Sequence, residues 1–519
     1  MKKERKAIPP EGIRDSFQEL GVPKTLVLGL QHMFAMFGAT ILVPILVMGY
    51  FQAACGEPLT RGVTVSTTLF CAGVGTLIFH LCTKLKVPAF LGSSFAFLGG
   101  FSTVANLNSG AYATMSANDK VAYACGGVVI AGLLYLVLAL VIKIVGVKRV
   151  MRFLPPVVTG PIIICIGLTL SGSAISNAST NWLIAVVALA VIIIFNIWGK
   201  GMAKIIPIIL GLLISYGTGL VLYFISQANP DLIQNVPWLF SGGADANGVY
   251  QPIFDFTSLN TICDNISKGH IFGSEGLIGI PIHWDKTVFG GIDYSNGALI
   301  ASSIIAIVPI AFATMMEHIG DICAISSTTG NNYIKDPGLH RTLVGDGLAT
   351  TLASLFGGPA NTTYGENTGV LALTRVYDPR VIRIAAYFAV AVSFFPIVSV
   401  IIGSIPSCII GGISFVLYGM ISAIGVRNVV ENKVDFTKSR NLIVAAVILV
   451  CALGLSSDTV SFTIGSAAIT LSPLAVASIA GIVLNAVFPG KDYKFDTEDV
   501  ADAVNFEKEV KPKEKKEKK

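Results

Sequence analysis

Long apolar runs follow one another through almost the whole chain, separated by short polar stretches. A helix needs about 20 apolar residues, at roughly 1.5 Å of rise each, to cross about 30 Å of hydrocarbon. Runs near that length predict an all-α polytopic membrane protein. We expect fourteen membrane segments, numbered in chain order: 26–48, 63–83, 88–106, 122–146, 155–175, 181–198, 203–226, 298–326, 341–357, 360–377, 381–402, 406–426, 440–456 and 464–488.

Polar residues interrupt two of these segments. Segment three contains Gly-Ser-Ser at 92–94, and segment ten contains Asn-Thr-Thr-Tyr-Gly-Glu-Asn at 361–367. Segments three and ten are seven crossings apart. Segments five and twelve, which begin with the related motifs 154–161 and 405–412, are also seven crossings apart. Because an odd number of crossings turns the second copy upside down, the pattern predicts two inverted seven-segment repeats. A broken segment in each repeat is typical of secondary transporters, although glycine and proline are also simply tolerated in buried membrane helices.

The composition agrees with a membrane protein. Hydrophobic residues make up 53% of the chain and charged residues only 13%, whereas soluble domains carry about a quarter. We therefore expect neither a soluble enzyme nor a nucleic-acid-binding protein. The nine cysteines form no CxxC pair and lie mostly in apolar runs, so no disulfide framework, metal site or cofactor is expected. The first 20 residues are polar and charged, which argues against a signal peptide.

The basic residues predict the orientation. Of the 36 lysines and arginines, only Arg61, Lys120, Lys268 and Lys286 lie outside the termini and the alternate loops. Because basic loops stay in the cytoplasm, both termini are expected on the cytoplasmic side of the cell's inner membrane. The stretch 227–297 then becomes an extracellular loop, either a lid or a tolerated insertion. The lysine-rich tail is expected to be solvated, where it can touch anionic membrane lipid.

Ionisable side chains inside the bilayer are costly and are therefore functional candidates. Glu317 and Asp321 are four residues apart and share one helical face. Ionising two carboxylates this close to each other in a low-dielectric environment has a high free-energy cost. One of them is therefore expected to hold a proton, as proton-coupled transport requires. The candidates of this kind are His32, Glu317, His318, Asp321, Asp346 and Glu366.

Some of these candidates also have a structural interpretation. Asp346 follows a cytoplasmic loop and could cap a helix or pair with Arg341. His318 and His32 could make ordinary contacts between helices. The breaks offer unpaired N–H groups, which suit ring carbonyls, and the two glutamates Glu317 and Glu366 suit ring N–H groups. A nucleobase fits this set, whereas two buried glutamates would repel an inorganic anion.

Several motifs resemble the nucleobase-ascorbate transporter family, and specifically its bacterial uracil permease branch. They are QHMFAMFGATILVP at 31–44, LGSSFAF at 91–97, EHIGD at 317–321, NTTYGENTGV at 361–370 and GGISFVLYG at 411–419. The resemblance implies short antiparallel strands in segments three and ten, proton symport by alternating access, and a homodimer. It also implies a core domain (25–147 and 298–403) and a gate domain (148–226 and 404–488), between the cytoplasmic N-terminal segment 1–24 and the charged tail 489–519.

The resemblance also implies roles for individual residues. Substrate contacts would come from Glu317, Glu366, the backbone amides of Phe95 and Gly365, and Tyr418 from the gate. Proton coupling is expected at Asp321, Glu317 and His32. Pro406 followed by Gly411 and Gly412 is a plausible hinge for the gate.

One departure bears on the substrate. The uracil permease branch usually has a histidine where this chain has Asp321, and the xanthine and urate branches have aspartate there. Uracil is the expected nucleobase, with a xanthine or uric acid permease of the same family as the alternative. An anion transporter or a channel sharing the architecture is the more distant alternative.

Overall fold

The computed structural model describes residues 12–490 except 58, 60, 61, 109, 246, 275, 456–459, 465 and 466. The predicted charged tail therefore lies almost entirely outside the described residues, as does the start of the N-terminal segment. Helices dominate the rest. The helices of the apolar segments are α1 Val22–Cys55, α2 Val65–Cys82, α3 Leu98–Ala105, α4 Ala117–Val145, α5 Pro156–Ala178, α6 Trp182–Trp198, α7 Pro207–Ala228, α8 Gly297–Ile307, α9 Ala311–Thr329, α10 Leu339–Leu355, α11 Gly365–Thr374, α12 Pro379–Ser393, α13 Pro396–Gly403, α14 Ser407–Glu431, α15 Ser439–Gly454 and α16 Pro473–Val487.

Local sequence explains where many of these helices begin. Hydroxyl side chains cap two of them, since Thr64 Oγ1 accepts from the amide of Thr67 and Ser116 Oγ from that of Asp119. Proline occupies the start of several others, where its missing N–H costs nothing. These prolines are Pro156, Pro207, Pro379, Pro396 and Pro473.

Seven helical stretches in the described part of the chain are long and apolar enough to cross a membrane, or eight if one bent pair counts as a span. Helices α8 and α9 form one such stretch, Gly297–Thr329. The bent pair is α12 and α13, which meet at 85° before Pro396, so the predicted segment 381–402 consists of two helices and not one straight helix. Segment fourteen also differs, because paired strands at Ser461–Ile464 and Ala467–Thr470 precede α16.

The two interrupted segments pair with each other. Strand β1 (Leu91–Ser93) runs antiparallel to β2 (Asn361–Thr363), with Gly92 opposite Thr362. Two further backbone bonds extend the pairing, from Ser94 N to Ala360 O (2.8 Å) and from Tyr364 N to Phe90 O (3.0 Å). Lipid offers no hydrogen bonds to unwound backbone. Each break therefore satisfies the polar backbone of the other.

The long helices pack into two groups. The first helix group contains α1–α4 and α8–α12, and its closest packing is of α10 against α4 and of α12 against α2. The second helix group contains α5–α7 and α14–α16, with α5 against α14 as its most extensive contact. Each group draws helices from both halves of the chain. The breaks β1 and β2 lie within the first group.

Two contacts outside the apolar segments tie distant parts of the first helix group together. The Nζ of Lys86 donates to Asp336, which holds the pKa of that exposed carboxyl below its usual range. Near the chain start, Ile13 N donates to Arg375 O and Tyr377 N to Ile13 O, both at 2.8 Å. The residues leading into α1 are thereby joined to the connection between α11 and α12.

The stretch 227–297 is structured. It contains the paired strands Ser241–Ala244 and Tyr250–Pro252 and a helix at Thr257–Ser267. Its short helical turns are Asp231–Asn235, Pro237–Phe240, Trp284–Lys286 and Val288–Gly291. Other short helical elements are Ser16–Glu19, Gly110–Thr114, Val147–Met151, Met202–Ile205, Val308–Ile310 and Ile334–Gly338.

Glycines allow α5 and α14 to approach closely. A Cβ added to Gly167 would overlap the carbonyl oxygen of Tyr418 and the hydroxyl of Ser422. Gly411 and Gly412 lie against the backbones of Ala178 and Ala185 in the same way. The two glycines of the predicted hinge thus have a packing role in the structure.

We expect Gly167→Val to lower the free energy of unfolding by about 1–3 kcal/mol, because the backbone of α14 cannot move aside for the new side chain. The matched control is Gly172→Val on the same helix, where, among the described residues beyond its own stretch of helix, no atom lies within 4 Å of the added Cβ. Thermal unfolding of the purified proteins in detergent measures the difference. Equal melting temperatures for the two variants would contradict the close-packing interpretation.

Candidate functional site

A cavity of about 1060 Å³ lies between the two helix groups. Its wall follows α9 on one side and α5 and α14 on the other. The inner end is formed by Phe95 and by residues 362–366 of the second break. The open mouth of the cavity carries basic side chains, among them Arg152, Lys433 and Arg440.

The second break contributes a helix start to the inner end. Helix α11 begins at Gly365 without a side-chain cap, and Glu366 lies in its first turn. The first N–H groups of a helix have no intrahelical acceptor and carry the positive end of the helix dipole. Gly365 and Glu366 therefore bring amide donors and a carboxylate to the same part of the wall.

Helix α9 contributes the other carboxylates. Glu317 and Asp321 both line the cavity, with Asp321 one turn nearer the mouth. The Oε2 atom of Glu317 is buried and has no hydrogen-bond partner among the residues that the structure describes. Asp321 Oδ2 accepts a 2.8 Å bond from Thr363 Oγ1, at the end of β2. Thr363 was not among the predicted site residues, although its place in the interrupted motif was a usable signal.

Tyr364 fixes the two breaks to each other and to α1. Its hydroxyl donates to Ser93 O at 2.9 Å and accepts from Thr40 Oγ1 at 3.3 Å. A Cβ at Gly92 would overlap the Tyr364 ring, so glycine is needed there for the ring to cross the strand. The inner end of the cavity is therefore held by side chains as well as by the sheet.

His32 is completely buried and is not part of the cavity wall. Its Nδ1 lies 3.2 Å from Asn367 Nδ2, which also donates to the His32 carbonyl at 3.1 Å. The contact joins α1 to α11, one residue after Glu366. The expected coupling role of His32 stays a prediction, and its position favours support of the second break.

His318 and Asp346 form a contact in the core of the first helix group. Asp346 Oδ2 lies 3.0 Å from His318 Nδ1, and neither side chain is exposed. The suggested pairing of Asp346 with Arg341 is wrong, since Arg341 Nη1 donates to Cys82 O at 3.4 Å instead. His318 makes the contact between helices that its position off the carboxylate face suggested.

Tyr418 lies just beyond the inner end of the cavity. The wall follows α14 from Ile421 to Glu431, and Tyr418 is about one turn earlier in that helix. Its ring packs edge-on against Phe95, with centroids 6.1 Å apart. Its hydroxyl lies beside Ser414 and Ser173, without a hydrogen bond of good geometry.

Tyr50 of α1 also contacts Ser173. Ser173, Tyr418, Ser414 and Tyr50 thus form a polar cluster between α5, α14 and α1, which we call the closing cluster. The cluster lies beyond Phe95, on the side of the helix groups opposite the basic mouth.

The inner end can bind a small planar molecule that both donates and accepts hydrogen bonds. The acceptors are Glu317 and Glu366, and the donors are the amides near Gly365. Phe95 supplies an aromatic face. Within the described ranges, no group of three His, Cys, Asp or Glu residues is placed to hold a metal ion.

Known proteins with similar sequences align with almost the whole chain. Residues 23–461 match the model of a family described as a permease family. The uracil permease of Bacillus caldolyticus is 36% identical over 481 residues, covering 91% of this chain and 93% of the relative. The uracil permease of Bacillus subtilis (strain 168) is 37% identical over 482 residues, covering 90% and 93%.

Among solved structures, the transmembrane domain of a cyanobacterium bicarbonate transporter, BicA, matches with a TM-score of 0.51. The alignment covers 88% of this chain and 97% of that domain at 13% identity, so it shows a shared transporter fold alone. The family match spans most of the chain, and the full-length relatives exceed 30% identity. The resemblance found in the motifs is thereby confirmed, and this integral membrane protein belongs to the permease family known as the nucleobase-ascorbate transporters.

Proposed function

We propose that the protein is a symporter that imports a nucleobase, uracil in the first place, together with a proton by alternating access. The observation that carries this proposal is the placement of Glu317 and Glu366 with the start of α11 at the closed end of one cavity. Relatives over nearly the whole chain, at 36–37% identity, are uracil permeases. Both lines of support point to the same class of substrate.

The proposed binding mode follows from the polar edge of the base. Uracil alternates ring N–H donors with carbonyl acceptors. Glu366 and Glu317 would each accept from a ring N–H, while the amides of Gly365 and Phe95 would donate to the carbonyls. Bonds in which one partner is ionised are about twice as strong as neutral ones, so the two glutamates would supply most of the polar affinity.

For the architecture we infer fourteen segments in two inverted repeats, with the first helix group as the core domain and the second as the moving gate domain. The pairing of β1 with β2 across the two halves supports this inference. With the basic mouth in the cytoplasm and both termini inside, the described conformation is open inward. A homodimer in the inner membrane and contact of the tail with anionic lipid complete the proposed assembly.

A xanthine or uric acid permease is the second candidate, because Asp321 lies in the cavity wall where the uracil branch usually has histidine. Uptake of labelled uracil, xanthine and uric acid into vesicles, with and without an imposed pH gradient, separates the candidates. Accumulation of uracil only when a gradient is present supports the proposal. Accumulation of xanthine or urate but not uracil would replace the substrate, and uptake insensitive to the gradient would remove the symport mechanism.

Substituting Glu366→Gln is expected to weaken uracil binding about ten- to hundredfold, or roughly 1.5–3 kcal/mol, because the charge-assisted bond to a ring N–H is lost. Isothermal titration calorimetry on the purified protein measures the change. Glu431→Gln is the matched control, since Glu431 lines the exposed mouth of the same cavity and pairs with Arg427. Unchanged affinity in Glu366→Gln would refute the proposed contact.

The two carboxylates of α9 are expected to behave differently. Asp321→Asn should abolish accumulation driven by a pH gradient while leaving equilibrium binding within about threefold, because Asp321 is bonded to Thr363 and is not one of the proposed contacts to the base. Glu317→Gln should damage both properties, since it also faces the base. Binding by calorimetry and proton flux by a pH-sensitive dye are measured for each variant. Gradient-driven accumulation by Asp321→Asn would leave Glu317 as the proton carrier.

Thr363 is expected to act by positioning Asp321, through the 2.8 Å bond between them. Thr363→Val, which keeps the shape of the side chain, should reduce gradient-driven accumulation several-fold with little effect on binding affinity. Thr363→Ser should restore accumulation. Thr362→Val is the control, because the neighbouring Oγ1 is buried without a partner among the described residues. Equal accumulation by the two valine variants would exclude the positioning role.

A further inference from the structure

Three stretches of chain connect the two helix groups, and two of them lie at the end opposite the basic mouth. One is the stretch 229–296 between α7 and α8, which we call the outer strap. The other contains α13, between α12 and α14. The outer strap is far longer than its connection requires, and it contacts both helix groups through separate sets of residues.

The first part of the outer strap is bound to the gate domain. Asn181, the N-cap of α6, donates through Nδ2 to Leu239 O (3.1 Å) and to Ser241 O (3.0 Å). Phe254 packs edge-on against Tyr216 of α7 at a centroid distance of 4.7 Å. Asn181 is buried, as is Phe254. We call these contacts the gate anchor.

The last part of the outer strap is bound to the core domain. Thr67 Oγ1 of α2 donates to Pro281 O at 2.7 Å, and Asp293 N donates to the Tyr123 hydroxyl of α4 at 3.0 Å. Trp284 packs edge-on against Phe356, with centroids 5.6 Å apart. We call these contacts the core anchor.

The outer strap also contacts the bend between α12 and α13. Gly279 N donates to Phe394 O at 2.9 Å, immediately before Pro396. The helix Thr257–Ser267, which joins the two anchors and which we call the linking helix, packs on α13, and its Ile262 is buried. The two outer connections between the domains are therefore in contact with each other.

This arrangement bears on the closing cluster. Opening the outer side would move α5 and α14 away from α1, and so separate Ser173 and Tyr418 from Tyr50. Because α6 and α7 pack with α5 and α14, the gate anchor would move with them while the core anchor stayed. Hydrogen bonds of 2.7–3.1 Å do not stretch by several ångströms, so the outer strap must resist the movement or release an anchor.

We propose that the outer strap restrains outward opening of the transporter by holding the gate domain against the core domain from outside. The proposal rests on the moving gate of the proposed function. In this role, the gate anchor, the helix Thr257–Ser267 and the core anchor together hold the two domains at a fixed separation. Cleaving the outer strap between the two anchors would release the restraint without changing the substrate site.

The test cuts the outer strap in the folded protein. A cleavage site for a sequence-specific protease is inserted between His270 and Ile271, between the linking helix and the core anchor. The control site is inserted between Asn247 and Gly248, inside the gate anchor, where the strands Ser241–Ala244 and Tyr250–Pro252 keep the cut ends paired. Both proteins are folded, purified and reconstituted before cleavage.

The reporter is Ser173→Cys in the closing cluster, in a background in which Cys55 and Cys263 are replaced by serine. A membrane-impermeant maleimide added from outside labels the reporter when the outer side opens. We expect cleavage at 270 to raise the labelling rate at least fivefold and cleavage at 247 to leave it unchanged. Equal labelling after the two cuts would overturn the proposal.

Point substitutions provide a second test that needs no insertion. Asn181→Asp keeps the oxygen that caps α6 through the amide of Ile184 but loses both donors to the outer strap. Thr67→Val loses the bond to Pro281. The control is Thr68→Val, because in the part of the chain that the structure describes the Thr68 hydroxyl bonds only to Thr64 O, at its own helix start.

Both anchor variants should raise reporter labelling, and the control should not. Labelling that stays at the control rate in both anchor variants would also overturn the proposal. Uracil uptake by the uncut protein is measured in parallel. Unchanged labelling with normal uptake refutes only the proposed restraint by the outer strap. Loss of uracil uptake in the uncut protein refutes the proposed transport function.

Discussion

The pairing of β1 with β2 is the contact on which the site depends. Unwound backbone at the depth of the membrane must find its hydrogen bonds within the protein, and here each broken segment supplies them to the other. Two consequences follow from the same pairing. Phe95 and Gly365, far apart in the chain, arrive at one end of one cavity, and α11 starts there without a hydrogen bond from a capping side chain.

The electrostatics of the cavity depend on this geometry. Glu317 and Asp321 come from an intact helix, whereas Glu366 comes from the first turn after a break. Three carboxylates in one wall would repel each other strongly if all were ionised, so a site of this kind favours a neutral ligand with N–H donors and a bound proton. The start of α11 offsets part of the repulsion because its dipole is positive at that end.

Much of this could be predicted from the sequence, since hydrophobic run length and the interrupting motifs reflect local constraints. The apolar segments, the two breaks and the carboxylates of α9 all follow from such patterns. Contacts between distant residues do not. The bond from Thr363 to Asp321 requires the sheet, and the contact of His318 with Asp346 requires the packing of α9 against α10.

The bend at Pro396 and the order within 227–297 were missed for a similar reason. Hydropathy cannot distinguish one straight segment from two helices at 85°, and a stretch rich in glycine and asparagine has no periodicity that predicts anchors. The glycines at 411 and 412 have a role that their sequence does not reveal. The hinge at these positions stays a prediction, and the absence of a side chain permits backbone contact with Ala178 and Ala185.

The seam between α5 and α14 sets limits on redesign of the substrate range. Gly167 lies directly against the carbonyl of Tyr418, so any enlargement of α5 at that point would displace the tyrosine next to Phe95. Ile421 and Ile424, in contrast, lie on α14, the helix of Tyr418, and line the cavity. A library intended to admit a larger base should therefore vary these two isoleucines and leave the glycine seam intact.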